Sequence, residues 1–113
     1  MLKDSLFMND SDREKILQTC KLLEENKIVI THGTDTMVET AKLLGRNIKD
    51  KTIVLTGAMV PYKLGVSDAQ FNLGFALASA QTLPDGVYIA MNGKIFEWHK
   101  VEKNKLVGEF EEI

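Results

Sequence analysis

A three-layer α/β sandwich is the fold class that this sequence of 113 residues predicts, and three observations predict it. Helix-like and strand-like periodicities alternate along residues 10–91. The three strand-like runs KIVIT (27–31), TIVLTG (52–57) and GVYIAM (86–91) are apolar on both faces, as in strands buried in a parallel sheet. After the third run the alternation stops, and Asn92-Gly93 stands between VYIAM and KIFEWH, the dipeptide that a type I′ hairpin demands. Together these give a mostly parallel sheet with helices on both faces, flavodoxin- or Rossmann-like, ending in a C-terminal β-hairpin.

Each element has its own local cause. Residues 10–25 carry Ile16, Leu17, Cys20 and Leu23 on one helical stripe, with Asn9, Asp10 or Ser11 available as the cap. A second helix is expected over about 36–46. There Thr36 and Glu39 have capping-box spacing, Val38, Ala41 and Leu44 (with Met37) face inward, and Gly45 is placed to end it. The loop 58–66, with Pro61 and Gly65, leads to a third helix. Its expected capping box is Ser67 to Gln70, and its expected inner stripe is Leu73, Ala76, Leu77 and Ala80. Pro84-Asp85-Gly86 is a turn, and KVEKN and KLVGEF read as one more turn and a final strand. KIVIT, TIVLTG and GVYIAM are each too apolar to stand as an edge, so Val29 and Val54 are expected to be buried.

Composition removes several function classes. Lys and Arg number 14 against 16 Asp and Glu, a net charge of −2, which lacks the basic balance of a nucleic-acid surface. No apolar run approaches the roughly 20 residues of a membrane span, so neither a nucleic acid nor a membrane is expected as partner. The N-terminus has no apolar signal segment, and the single cysteine, Cys20, suits a reducing compartment; a cytoplasmic location is expected. Two histidines far apart do not suggest a zinc site, and no metal is expected.

Ligands of open parallel sheets bind past the carboxyl ends of the strands. Two segments occupy that position. Thr31-His32-Gly33-Thr34-Asp35-Thr36 joins a strand to a helix start, with hydroxyls, a carboxylate and amides that favour an anion. Thr and Asp are also ordinary caps there, but six small or polar residues directly after a buried strand are dense. Thr56-Gly57-Ala58-Met59 follows the second strand, where small residues leave backbone groups open to a ligand. His32 reads as a hydrogen-bonded structural residue, Trp98 and His99 as packing or partner contacts, Cys20 as core, and the charged run at 102–105 as a solvated turn.

ITHGTDTMVETA (30–41), LTGAMVP (55–61), SDAQFNL (67–73), GVYIAMNGKI (86–95) and DSLFMND (4–10) resemble, in order, the N-terminal domain of the bacterial-type L-asparaginases. The resemblance implies hydrolysis of L-asparagine to L-aspartate and ammonia, without metal or cofactor, in a homo-oligomer. It implies a Thr-Asp-Lys set to which Thr34 and Asp35 contribute as catalytic residues. It also implies that Ser5 holds the substrate's α-carboxylate, that the backbone of Gly33 meets this carboxylate or the oxyanion, and that the carbonyl of Ala58 accepts from the side-chain amide. Three features depart from the family. No Gly-Gly-Thr-Ile nucleophile segment occurs, Leu6 follows Ser5 where Gln or Glu is usual, and the set's Lys is expected near Leu83, with Lys63 the nearest substitute. Residues 1–113 are thus expected to form a single asparaginase-like N-terminal domain that lacks its first strand. Turnover is expected to be impaired, and a flank of the sheet to be open to pairing with another copy. The alternative readings are a non-catalytic amino-acid or anion-binding domain, a vestigial relative, and an asparaginase-like amidotransferase subunit.

Overall fold

A computed structural model describes residues 8–59 and 68–113; Ser5, Leu6, Pro61, Lys63, Gly65 and Ser67 lie outside the described residues. The order is α1 (Asp10–Leu22), β1 (Lys27–Thr31), α2 (Met37–Asn47), β2 (Thr52–Thr56), α3 (Ala69–Thr82), β3 (Gly86–Met91), β4 (Lys94–Glu97), β5 (Val101–Asn104) and β6 (Glu109–Glu112). The main sheet runs β1-β2-β3-β4, parallel through β3 and antiparallel at β4, while β5 and β6 form a separate antiparallel pair.

The pleat divides the core in two. Ile53 and Leu55 of β2, and Val87, Ile89 and Met91 of β3, face α1 and α2, where Leu17, Cys20, Met37, Ala41 and Leu44 close the layer. The alternate residues Val54, Tyr88 and Ala90 face α3 through Ala76 and Ala80. The expected three-layer sandwich is therefore the observed one. At the hairpin, Asn92 (φ 54°) and Gly93 (φ 77°) both adopt the left-handed conformation that the type I′ turn requires.

Several local expectations are corrected. Among the described residues β1 is an edge strand, and Ile28, Val29 and Ile30 are only half-buried, while Val54 is fully buried. The inner stripe of α3 is Asn72, Ala76, Ser79 and Ala80; Leu73 and Leu77 face outward at 39% and 48% exposure. Small side chains let α3 lie close on the sheet, and the bulkier leucines do not fit that gap. Asn9 and Asp12 form a true capping box on α1, with Asp12 N donating to Asn9 Oδ1 at 2.9 Å. Thr36 and Asp68 make no such bond to the helices that follow them. Gly45 does not end α2, which runs on to Asn47. Any Cβ at Gly45 would overlap the Trp98 indole, so this glycine serves a close approach within the helix. VEKN is a strand rather than a turn, and the last strand begins at Glu109.

Candidate active site

The two expected ligand segments are held against each other at the carboxyl ends of β1 and β2. His32 N donates to Thr56 O at 2.9 Å, extending the parallel ladder one residue beyond β1. Gly57 then crosses the His32 carbonyl so closely that a Cβ would collide with it. The loop 32–36 and the loop 57–59 are thereby fixed side by side, which brings Gly33, Thr34 and Asp35 to the same edge of the sheet as Ala58.

His32 is buried and both ring nitrogens are engaged, Nδ1 with Gly33 O at 2.6 Å and Nε2 with Thr40 Oγ1 at 2.8 Å. A carbonyl can only accept, so Nδ1 carries the proton and Nε2 accepts from the Thr40 hydroxyl. The Gly33 carbonyl thus fixes the tautomer of the ring. Burial, the largest cause, lowers the His32 pKa; Arg13 adds to this, and the Gly33 bond and Glu39 oppose it. The neutral ring is a strut between the loop and α2. It joins the backbone of the loop to Thr40, as the structural reading of His32 anticipated.

Lys103 completes the cluster. From β5 its ammonium donates to Thr34 Oγ1 at 3.0 Å and to Asp35 Oδ1 at 2.9 Å. The Lys103 side chain is 11% exposed and that of Asp35 39%, so the pair opens to solvent on the carboxylate side. The lysine that joins Thr34 and Asp35 thus lies neither near Leu83 nor in the loop containing Lys63. The run 102–105 is not simply a solvated turn either. The sequence carried no local signal for it, because its inward side is set by the pairing of β5 with β6. Val101 is buried in the core, and a strand's period of two puts Lys103 on the same, inward side. A cation beside a threonine hydroxyl lowers the cost of negative charge on that oxygen or on a water next to it, and Asp35 holds the cation in place.

Of the predicted site residues, Thr34 and Asp35 meet on Lys103, Gly33 and Ala58 lie in the two loops that touch where Gly57 crosses His32, and Ser5 lies outside the described residues. Cys20, on the inner face of α1, is buried and its thiol pKa is raised, chiefly by burial, with Lys51 opposing, as befits a core residue. Trp98 packs on Gly45, with His99 edge-on at 5.1 Å and Lys49 over the ring at 5.8 Å. Among the described residues no group of three or more His, Cys, Asp or Glu side chains is placed to hold a metal ion. No helix among them is long and apolar enough to cross a membrane.

The family model of the asparaginase N-terminal domain matches residues 1–108. The chain belongs to the asparaginase family. The L-asparaginase of Thermococcus kodakarensis is 41% identical over 87 residues, covering 75% of this chain and 26% of that protein. A solved structure of the thermostable L-asparaginase from that organism superposes with a TM-score of 0.87 at 34% identity, over 100% of this chain and 36% of its own. A probable cytoplasmic L-asparaginase from Campylobacter jejuni superposes with a TM-score of 0.82 at 37% identity, over 97% of this chain and 37% of its own. The glutaminase-asparaginase of Acinetobacter glutaminasificans is 45% identical over 82 residues, covering 69% of this chain and 25% of that protein. This asparaginase-family chain thus spans about a quarter of the length of the curated relatives it matches.

Proposed function

We propose that residues 1–113 form a single asparaginase-type N-terminal domain whose site serves the hydrolysis of L-asparagine to L-aspartate and ammonia. The observation that carries this reading is the bridge from Lys103 to both Thr34 and Asp35. In the reaction an oxygen nucleophile adds to the side-chain amide carbon, the C–N bond breaks, and the nitrogen takes a proton and leaves as ammonia. Thr34, Asp35 and Lys103 act as one unit that activates and orients that oxygen, with Lys103 offsetting the negative charge that develops. Ser5, Gly33 and the amides at the start of α2 take the α-carboxylate. The Ala58 carbonyl takes the side-chain amide. No metal or cofactor is required by this scheme.

The 113 residues tested alone should turn over slowly, because no Gly-Gly-Thr-Ile segment supplies the expected nucleophile. Losing the nucleophile of such a unit costs on the order of 10⁶-fold in kcat. Ammonia release from L-asparagine, measured for the wild type and for Thr34→Ala, tests this. A slow wild type that binds L-aspartate supports the reading. Fast turnover abolished by Thr34→Ala would make Thr34 itself the nucleophile, and a folded chain that binds neither amino acid would refute the assignment.

A homo-oligomer and a cytoplasmic setting complete the proposal. The half-buried edge strand β1 and a groove of about 360 Å³ along it, lined by Ile16, Cys20, Leu23, Ile28 and Ile30, favour a covered flank. Light scattering that shows a monomer at micromolar concentration would contradict the assembly. The cytoplasmic setting rests on the free Cys20 thiol and on the likeness to the Campylobacter jejuni protein.

A further inference from the structure

Asn72 is a fully buried polar side chain on the face of α3 that meets the sheet, and its amide is spent on three elements at once. Nδ2 donates to Gly57 O at 2.9 Å and to Asp68 Oδ2 at 3.1 Å. Oδ1 accepts from Asn92 N, in the turn between β3 and β4, at 3.0 Å. Asp68 Oδ2 in turn accepts from Met59 N at 3.1 Å. Two successive peptide groups are therefore pinned toward α3, one through its carbonyl (Gly57) and the next through its N–H (Met59).

The residue between them is Ala58, and peptide geometry decides what it displays. In a planar trans peptide the C=O and N–H point in opposite directions, and no cis peptide occurs among the described residues. With Met59 N–H turned to Asp68, the carbonyl of Ala58 points away from α3. With Gly57 C=O turned to Asn72, the Ala58 N–H points away as well. One residue thus shows an acceptor and a donor outward. That pattern complements a primary carboxamide, which has a donor NH₂ and an acceptor oxygen, better than a carboxylate, which only accepts.

We propose that Asn72 and Asp68 are positioning residues that fix this display and so make the site favour L-asparagine over L-aspartate. The inference rests on the reading of Ala58 given above, and it deepens that reading by naming what aims the carbonyl. Burying a polar group as completely as Asn72 is costly unless it is fully hydrogen-bonded, and each of its bonds ends on a loop or turn flanking the carboxyl ends of the strands. Asn72→Asp keeps the shape but puts a carboxylate against the Gly57 carbonyl and the Asp68 carboxylate, releasing the loop.

The test is calorimetric titration of the folded chain with L-asparagine and with L-aspartate, in runs short against turnover. The variants are Asn72→Asp, Asp68→Ala and the conservative Asp68→Asn. Asn72→Asp and Asp68→Ala are expected to lose about tenfold in affinity for L-asparagine, the equivalent of one hydrogen bond, with L-aspartate changed by less than about twofold. Asp68→Asn, whose side-chain oxygen still accepts from Met59 N, should restore the preference. If Asn72→Asp fails to fold, Asp68→Ala decides, since Asp68 is only partly buried. A wild type that binds both amino acids beside variants with an unchanged ratio overturns the positioning claim alone. A folded wild type that binds neither overturns the site reading with it.

Discussion

Two lysines at opposite ends of the sheet differ in what holds them: one is bound by backbone carbonyls, the other by a hydroxyl and a carboxylate. Lys51, at the amino end of β2, is 7% exposed and donates to Leu23 O at 2.6 Å and Glu25 O at 2.9 Å. Those carbonyls lie just past α1, where a helix leaves acceptors unpaired and its dipole favours a positive charge. Lys27 does the same for α3 through Ala80 O and Gln81 O. Lys103 breaks this pattern. It sits before the first turn of α2, the end of a helix that disfavours a cation, and it is held there by the Asp35 carboxylate and the Thr34 hydroxyl. A lysine kept against the local dipole by a hydroxyl and a carboxylate is the observation on which the proposed function rests.

Two glycines allow the contrast to be broken first. Gly57→Val should have the largest effect. Its Cβ meets the His32 carbonyl, which is backbone and cannot swing aside, so a loss of about 3 kcal/mol in chemical denaturation is expected, together with ligand binding. Gly45→Ala meets the Trp98 ring instead, near the start of β3, where the Trp98 backbone N–H donates to Val87 O at 3.1 Å. About 2 kcal/mol should be lost there, with L-aspartate affinity retained. Equal damage to binding from the two would mean that the ends of the sheet are not functionally distinct.

The smallest expected effect is a pH dependence. His32 has a folded-state pKa lowered from 6.5 by burial, so the unfolded chain binds that proton more tightly. Its contribution is intact above pH 6.5, shrinks as pH falls below it, and is lost once the pH has passed through the folded value. Melting temperatures followed from pH 7.5 to 5 should decline, and His32→Gln should flatten the decline. A profile unchanged by that substitution would show that the ring is not the neutral strut described.

How much of this was legible in the sequence depended on range. The sheet was readable because KIVIT, TIVLTG and GVYIAM are short apolar runs whose pairing follows from local pattern, and Asn92-Gly93 announces its own turn. Thr34 and Asp35 were readable because they sit within one strand–helix connection. Lys103 was not, because it is 69 and 68 residues from its partners, and its register depends on the separate β5–β6 pair. The position of Val29 was missed because an apolar run does not say whether a neighbour strand lies on its far side. Leu73 and Leu77 were misplaced because the polar residues of α3 are spread around the helix and mark no polar side; the small residues beside Asn72 decide which face meets the sheet.

The central claim, that the Lys103 cluster is the ligand end of the molecule and the Lys51 cluster only a support, is tested most directly by titrating L-aspartate into Lys103→Met and Lys51→Met. Lys103→Met should weaken binding by at least about tenfold, because Thr34 and Asp35 lose the cation that holds them and the Asp35 charge is left uncompensated beside an anionic ligand, with little change in melting temperature. Lys51→Met should bind as the wild type does and melt earlier, because buried carbonyls lose their donor. Equal affinity in the two variants, or weaker binding in Lys51→Met alone, would contradict the account.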